Sequence, residues 1–372
     1  MHELKIGGNA HVRQVLIGES QPVAIQTMWK DKLSLSTEYD KTQVLQRIDL
    51  LHALGCDILR FAVPCINDAE VLGKLCTLTD MPLVADIHFD YKIALRIMDF
   101  PIAKIRINPG NIGGVEKVQS VLEKAAAKNI PIRIGVNGGS LPDDLQHEIN
   151  IGQKTRVEAL VEAAEREMEL FAKHNFTEFA VSMKASSCIE TIECNKLFAK
   201  RNDVPLHIGV TEAGPLIAGL VRNTAALYDL LCNNIGNTIR VSLSDTMEKE
   251  VIAAREILLA VNDALPSTRA AGNGIRIISC PRCARCSFDT HAATEKWQNY
   301  LYSLRKTSPN SLRQITVAFM GCPVNGPGEA KDADIGITGS GDKILIFRDG
   351  KIKHRVDKEE AWKLFKDELD SL

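Results

Sequence analysis

Four of the chain's ten cysteines fall near its C-terminal end. Cys280, Cys283 and Cys286 lie in Cys280-Pro281-Arg282-Cys283-Ala284-Arg285-Cys286, and Cys322 opens the loop Cys322-Pro323-Val324-Asn325-Gly326-Pro327-Gly328-Glu329. A Cys-x-x-Cys turn points two sulfurs the same way, which suits zinc, a redox dithiol or an iron–sulfur cluster. A zinc ribbon would supply a second Cys-x-x-Cys, whereas only Cys322 follows here, and a dithiol needs no third cysteine. The Gly- and Pro-rich turn after Cys322 lets backbone amides approach cluster sulfides. The spacing therefore favours a cluster on Cys280, Cys283 and Cys322. Its fourth ligand stays open on chemical grounds: Cys286 completes a four-sulfur set, while Glu329 offers a weaker, more exchangeable oxygen that would leave one iron available to substrate.

A second group of reactive residues is spread through the first two-thirds of the chain, inside short β-rich runs. Side chains at i and i+2 share one face of a strand. Asp86 thus goes with His88, Arg106 with Asn108, Arg133 with Asn137, Ser182 with Lys184, His207 with Thr211 and Arg240 with Ser242, and Arg60 stands between Leu59 and Phe61. One or two of these charges read also as structural ion pairs with Asp57 or Asp86. Four arginines and a lysine (Arg60, Arg106, Arg133, Arg240 and Lys184) at matching positions imply a substrate with several negative charges, such as a diphosphate, because guanidinium groups match phosphate oxygens in pairs. Asn111 adds a turn after Arg106 and Asn108 whose amides would assist. Glu212, ending the seventh run, suits general acid–base work, with Asp86-x-His88 as the second candidate. Gln26-Thr27-Met28 on the first run lacks the His-x-His of a hydrolytic metal barrel.

The elements that must position these residues are eight strand–helix units. The strands are expected at 23–28, 57–64, 82–89, 104–108, 131–137, 178–185, 205–211 and 237–244, and helices at 37–54, 115–128, 155–174 and 246–265 among others. Alternation of this kind predicts a (β/α)8 TIM barrel whose C-terminal mouth carries the polar residues. No G-x-G-x-x-G follows the first strand, which argues against a dinucleotide-binding sheet. The opening segment, residues 4–12, reads as a hairpin plugging the barrel's bottom. Residues 1–265 form the expected barrel domain. Residues 266–372 form a smaller α/β domain with a linker at 262–273, both cysteine loops following strands, hairpin strands joined at Asp349-Gly350 and a closing helix at 359–372.

The chain has 372 residues, 45% hydrophobic and 25% charged, with a net charge of −2. It therefore has no global basic field for nucleic acid or an anionic membrane. No apolar run approaches the ~18 residues of a membrane span. Met1-His2-Glu3-Leu4-Lys5 lacks a signal-peptide pattern, and ten cysteines without such a signal lead us to expect a reducing, cytoplasmic setting.

Cys280-Pro281-x-Cys283 followed by Gly321-Cys322-x-Val324-Asn325-Gly326-Pro327-Gly328-Glu329 resembles the 4-hydroxy-3-methylbut-2-enyl diphosphate synthase family, iron–sulfur enzymes of the methylerythritol phosphate route to isoprenoids. Ala85-Asp86-Ile87-His88-Phe89-Asp90, Arg106-Ile107-Asn108-Pro109-Gly110-Asn111-Ile112-Gly113, Arg133-Ile134-Gly135-Val136-Asn137 and Gly209-Val210-Thr211-Glu212-Ala213-Gly214 are similar to the same family, in the same order. The resemblance implies a [4Fe–4S] cluster on Cys280, Cys283, Cys322 and Glu329. It implies a cyclic diphosphate substrate, 2-C-methyl-erythritol 2,4-cyclodiphosphate, opened and deoxygenated with two electrons from flavodoxin or ferredoxin. It further implies a head-to-tail homodimer in which one subunit's barrel works with another's cluster domain. Cys286 departs from the family's usual pattern. Two other readings stand beside this one: a non-catalytic iron–sulfur or zinc sensor with a phosphate-binding barrel, and a pterin-type barrel transferase, which leaves the cysteines unexplained.

Overall fold

The computed structural model describes residues 3–139, 141–265, 275–303, 315–323 and 330–372. The chain divides into two compact units, Met1–Gly272 and Asn273–Leu372.

The first unit opens with an antiparallel hairpin, β1 (Leu4–Gly7) and β2 (Gln14–Ile17). Eight parallel strands follow: β3 (Ala24–Met28), β4 (Ile58–Ala62), β5 (Leu83–Asp86), β6 (Lys104–Ile107), β7 (Ile132–Asn137), β8 (Phe179–Lys184), β9 (His207–Ile208) and β10 (Thr238–Ile239). They pair in the order β8-β7-β6-β5-β4-β3-β10-β9, and a parallel bridge from Val181 to Leu206 closes β8 onto β9. This is the expected (β/α)8 barrel.

Local sequence explains where its helices begin and end. Thr37 and Thr155 each accept a hydrogen bond from the amide three residues on, and the Asp40 and Glu158 carboxylates accept from the cap amides in return. These reciprocal capping boxes start the helices Glu38–Leu54 and Arg156–Lys173. Gly55, at φ 113°, ends the first of them in a left-handed conformation open to glycine.

Two details differ from expectation. The last two strands are shorter than the β-rich runs that announce them. Their ladder stops where Arg240 N–H donates to Ile208 O, and beyond it the Arg240 carbonyl lies 2.3 Å from where a Cβ on Gly209 would stand. The helix Met247–Ala264 lies within the expected 246–265, so the linker does not begin at 262; Val261, in the helix's last turn, is fully buried. Residues 266–274, the rest of that linker, lie outside the described residues.

The hairpin sits at the strands' N-terminal ends. Leu4, Ile6, Val12 and Ile17 form one cluster with Ala24, Ile58, Val84, Ala103 and Ala180. Of these, Ala24 and Ile58 begin β3 and β4. The apolar plug therefore closes the end of the barrel opposite the mouth.

In the second unit β11 (Ile275–Ser279), β12 (Ile315–Met320) and β13 (Ile335–Ser340) run parallel, and β14 (Lys343–Arg348) and β15 (Lys351–Asp357) continue the sheet antiparallel. Asp349 and Gly350, both at positive φ, make the tight turn between the last two strands. The helices Thr290–Ser303 and Lys358–Asp370 bury Trp297, Leu301, Phe365 and Leu369 against one face of this sheet. The other face carries Ala318, Met320 and Phe347, with Cys280 packed against them.

The plug predicts a stability effect: Ile6→Ala should lower barrel stability by about 2–4 kcal/mol, the usual loss for emptying a filled aliphatic site. Urea unfolding followed by circular dichroism checks this. An unchanged midpoint would show that the hairpin only decorates the barrel.

Candidate active site

In parallel pairing, residues opposite each other share a face. The register places Arg60, Val84 and Lys104 in one row, and Ala62, Asp86, Arg106 and Arg133 in the next toward the mouth. Ala24, Ile58, Val84 and Ala180 on this same face touch the plug, so these rows line the barrel's interior. Six cations converge there: Arg60, Lys104, Arg106, Arg133, Lys184 and Arg240. Against them the inner rows set one carboxylate, Asp86, among the described residues.

Asp86 is the hub. Its carboxylate receives Arg106 Nη1 at 3.1 Å and faces Arg60 Nη2 at 3.5 Å and His88 Nε2 at 3.4 Å. Burial alone would raise its pKa, but the Arg60 charge, the His88 hydrogen bond and the Arg106 and Arg133 charges hold it far below the usual carboxylate range. His88 Nε2 also lies 3.0 Å from Arg106 Nη1, and its side chain is nearly half exposed. Arg106 Nη2 donates to the Gly135 carbonyl at 3.3 Å. A Cβ on Gly135 would stand 2.3 Å from Arg106 Nε, so glycine at that position is what admits the guanidinium.

The other cations are less well matched. Arg133 is 2% exposed, and its Nε and Nη2 have no hydrogen-bond partner; the Nε atoms of Arg60, Arg106 and Arg240 also lack one. Desolvation lowers the pKa of Arg60 to about 10 even with Asp86 beside it, and desolvation with the neighbouring arginines lowers that of Arg133 well below its ordinary value. Lys184 Nζ lies 3.2 Å from His207 Nε2, and His207 Nδ1 lies 2.7 Å from Thr238 Oγ1. Burial, reinforced by the neighbouring cations, pushes Lys184 and His207 well below their ordinary values. Ser182 and Asn108 are buried on these faces, while Asn137, Thr211 and Ser242 are partly exposed. Glu212 is exposed at φ 52°, a left-handed conformation that costs a non-glycine residue energy and recurs at functional positions.

The turn after Asn108 behaves differently from expectation. Residues Pro109–Ile112 form a short helical turn whose Gly110 and Asn111 amides already donate to Glu167 Oε1 and to the Asn108 carbonyl. Those two amides are therefore not offered to a ligand, although the Asn111 side chain is exposed.

Two buried charged residues lie outside the pairs that the period of two singles out. Lys104 occupies the same face as Arg106 and was legible as its i−2 neighbour. Glu250 comes from the helix Met247–Ala264. It accepts from Thr27 Oγ1 at 2.6 Å and the Leu243 amide at 2.9 Å, and pairs with Lys30 at 2.9 Å and Arg240 at 3.8 Å. No strand pattern reveals a helix residue that reaches back in this way.

The cysteines sit at the ends of two adjacent parallel strands. Cys280 follows β11 and Gly321-Cys322 follows β12; Cys283 is exposed and Cys322 buried, and none of the four is in a disulfide. The Sγ atoms of Cys280 and Cys286 lie 3.6 Å and 2.5 Å from where a Gly321 Cβ would be, so only glycine lets the two loops meet. The Cys286 thiol donates to the Phe288 carbonyl at 2.7 Å. Glu329 lies outside the described residues, and among the described residues no three His, Cys, Asp or Glu side chains are grouped closely enough to hold a metal ion. Thiols on neighbouring strand ends, with glycine where the Cys280 and Cys286 sulfurs approach the Cys322 loop, are the donor type that an iron–sulfur cluster uses.

A plugged (β/α)8 barrel with a cation-lined interior, followed in the chain by a small α/β unit presenting thiols at its strand ends, defines a two-unit TIM-barrel protein. The chain belongs to the GcpE family: residues 8–255 match the GcpE TIM-barrel domain and residues 276–371 the GcpE protein C-terminal domain. Among curated relatives, the protein of Treponema denticola is 50% identical, with 95% of this chain and 92% of the relative covered. That of Treponema pallidum is 48% identical, with 99% and 91% covered, and that of Vibrio vulnificus 39%, with 94% and 88% covered. Each is named 4-hydroxy-3-methylbut-2-en-1-yl diphosphate synthase (flavodoxin). No helix among the described residues is long and apolar enough to cross a membrane.

Two predictions follow from the geometry. Gly135→Ala should displace Arg106 and weaken binding of inorganic pyrophosphate about tenfold or more with the fold intact, the loss expected for misplacing a charge-assisted bidentate contact; calorimetric titration checks it. The second concerns pH. Because Lys104 and Lys184 have folded pKa values below their unfolded ones, the unfolded chain holds more protons across the window up to about pH 10. Stability of the ligand-free chain should therefore rise with pH through that window, at up to about 1.4 kcal/mol per pH unit for each lysine, and pyrophosphate should flatten the climb. Urea melts between pH 6 and 9 measure both slopes.

Proposed function

We propose that the chain reductively opens and dehydroxylates 2-C-methyl-D-erythritol 2,4-cyclodiphosphate to 4-hydroxy-3-methylbut-2-enyl diphosphate. The observation that carries this is the excess of buried positive charge inside the barrel, which matches a diphosphate and is otherwise a liability. Two electrons enter with protons, a C–O bond to the ring diphosphate opens, and the lost hydroxyl leaves as water.

Arg60, Arg106, Arg133, Arg240 and Lys184 bind the diphosphate oxygens. Asp86 stays ionised and holds Arg60 and Arg106 in place while they wait for the anion. Asn108, Asn111, Asn137, Ser182, His207, Thr211 and Ser242 bond the remaining substrate oxygens. Glu212, at the mouth, delivers a proton to the departing oxygen, with His88 as the second candidate. Cys280, Cys283, Cys322 and Glu329 would hold a [4Fe–4S] cluster. When bound, such a cluster supplies low-potential electrons and Lewis acidity at one labile iron. Cys286, whose thiol already donates to a carbonyl, is left as a neighbour rather than a ligand.

Flavodoxin, which the relatives' names include, is the proposed electron donor, with ferredoxin as the alternative carrier. A reducing cytoplasm suits both the thiols and that donor. We assign the working unit to a head-to-tail homodimer in which one subunit's barrel serves its partner's cysteine unit. The pterin-transferase reading gives no role to the second unit, whereas the GcpE match spans both.

The test is an anaerobic assay with the cyclic diphosphate and a low-potential reductant. Enyl diphosphate should appear, and its absence from fully cluster-loaded protein would sink the proposal and favour the sensor reading. Glu212→Gln should lower turnover at least a hundredfold with substrate binding kept, the scale of a lost general acid. Mixing an inactive Arg106→Ala chain with an inactive Cys283→Ser chain should restore about a quarter of wild-type activity, as random pairing into twofold dimers gives. Failure to complement would remove the shared site.

A further inference from the structure

Lys104 is the one inner cation that none of the site assignments above uses. It opens β6, with Arg106 two residues on along the same face, and the register sets it level with Val84 and Arg60. Its side chain is fully buried, and Nζ has no hydrogen-bond partner. The charges it meets are all of its own sign. Arg133 and Arg60 add to desolvation in disfavouring its ammonium form, and Lys104 in turn bears on His207.

Such a residue contributes nothing to the fold that a methionine of similar length would not do better. A buried lysine without a counter-ion is costly, and the row below it is the apolar surface of the plug, which offers no compensation. The counter-charge must come from a ligand. The same holds for the unpartnered Nε and Nη2 of Arg133, which stands diagonally above Lys104 on the adjacent strand.

We propose that Lys104 is a further anion-binding residue, so that the diphosphate site reaches one row deeper than the Asp86–Arg106–Arg133 row. This rests on the reading of the barrel as a diphosphate site. In the empty barrel burial, Arg133 and Arg60 all disfavour the ammonium form of Lys104. When the anion arrives, Lys104 takes up a proton and supplies charge beneath Arg133, and the energy spent keeping it buried is recovered as binding.

The experiment uses the full chain, wild type and Lys104→Met, with inorganic pyrophosphate as probe. Thermal melts are run without ligand, followed by calorimetric titrations in two buffers of different ionisation enthalpy. Lys104→Met should melt higher than wild type without ligand. It should bind pyrophosphate about tenfold more weakly or worse, the scale of one charge lost at short range in a protein interior. It should also take up fewer protons on binding, and Lys104→Arg should recover affinity. Lower stability of Lys104→Met would show that the ammonium has a structural partner and overturn the inference. So would equal affinity together with equal proton uptake. If wild type binds no pyrophosphate, the whole anion site falls, Lys104 included, whereas binding by wild type with no effect of Lys104→Met removes Lys104 alone.

Discussion

The barrel is organised around positive charge that it cannot neutralise by itself. Six cationic side chains face an interior in which Asp86 is the opposing carboxylate, and several of their nitrogens have no protein partner. Charge of this kind is expensive to bury. The structure limits the expense in three ways: Asp86 anchors two arginines at once, Glu250 backs Arg240 from a surrounding helix, and glycine at 135 lets Arg106 lie across the neighbouring strand. What these do not satisfy is left for a ligand, and a multiply charged anion is what the arrangement suits.

The same constraint explains the plug. An open end below the lysine and arginine rows would admit water and screen the charges, weakening their hold on an anion. The β1–β2 hairpin closes that end with aliphatic side chains, so the charged rows rest on an apolar floor. In the second unit a similar economy holds: two parallel strands deliver both cysteine loops side by side, and Gly321 is the residue whose lack of a side chain lets their sulfurs approach.

Much of this was legible in the sequence because two simple periods carry it. Arg106 and Asn108, or Ser182 and Lys184, betray a strand face by their spacing of two. The helix at Val115–Lys128 falls where its apolar repeat places it. Less was legible where tertiary contact decides. Glu250 reads as one more acid in a helix's first turn, and only the fold shows it buried against Thr27 and Arg240. The Gly110 and Asn111 amides read as ligand donors until Glu167 and the Asn108 carbonyl prove to occupy them. Lys104 shares its face with Arg106, but sequence cannot tell a surface lysine at a strand's start from one sealed above a plug. The last two strands end where Arg240 meets Gly209, a contact between residues far apart in the chain.

The measurement that bears most directly on the central claim compares binding of the intact cyclic diphosphate with that of its neutral polyol, 2-C-methyl-erythritol, to the same ligand-free protein by calorimetry. The buried cations predict tight binding of the diphosphate, accompanied by proton uptake, and no measurable binding of the polyol. Comparable binding of the two, with no protons exchanged, would contradict the view that the barrel is built around an anion.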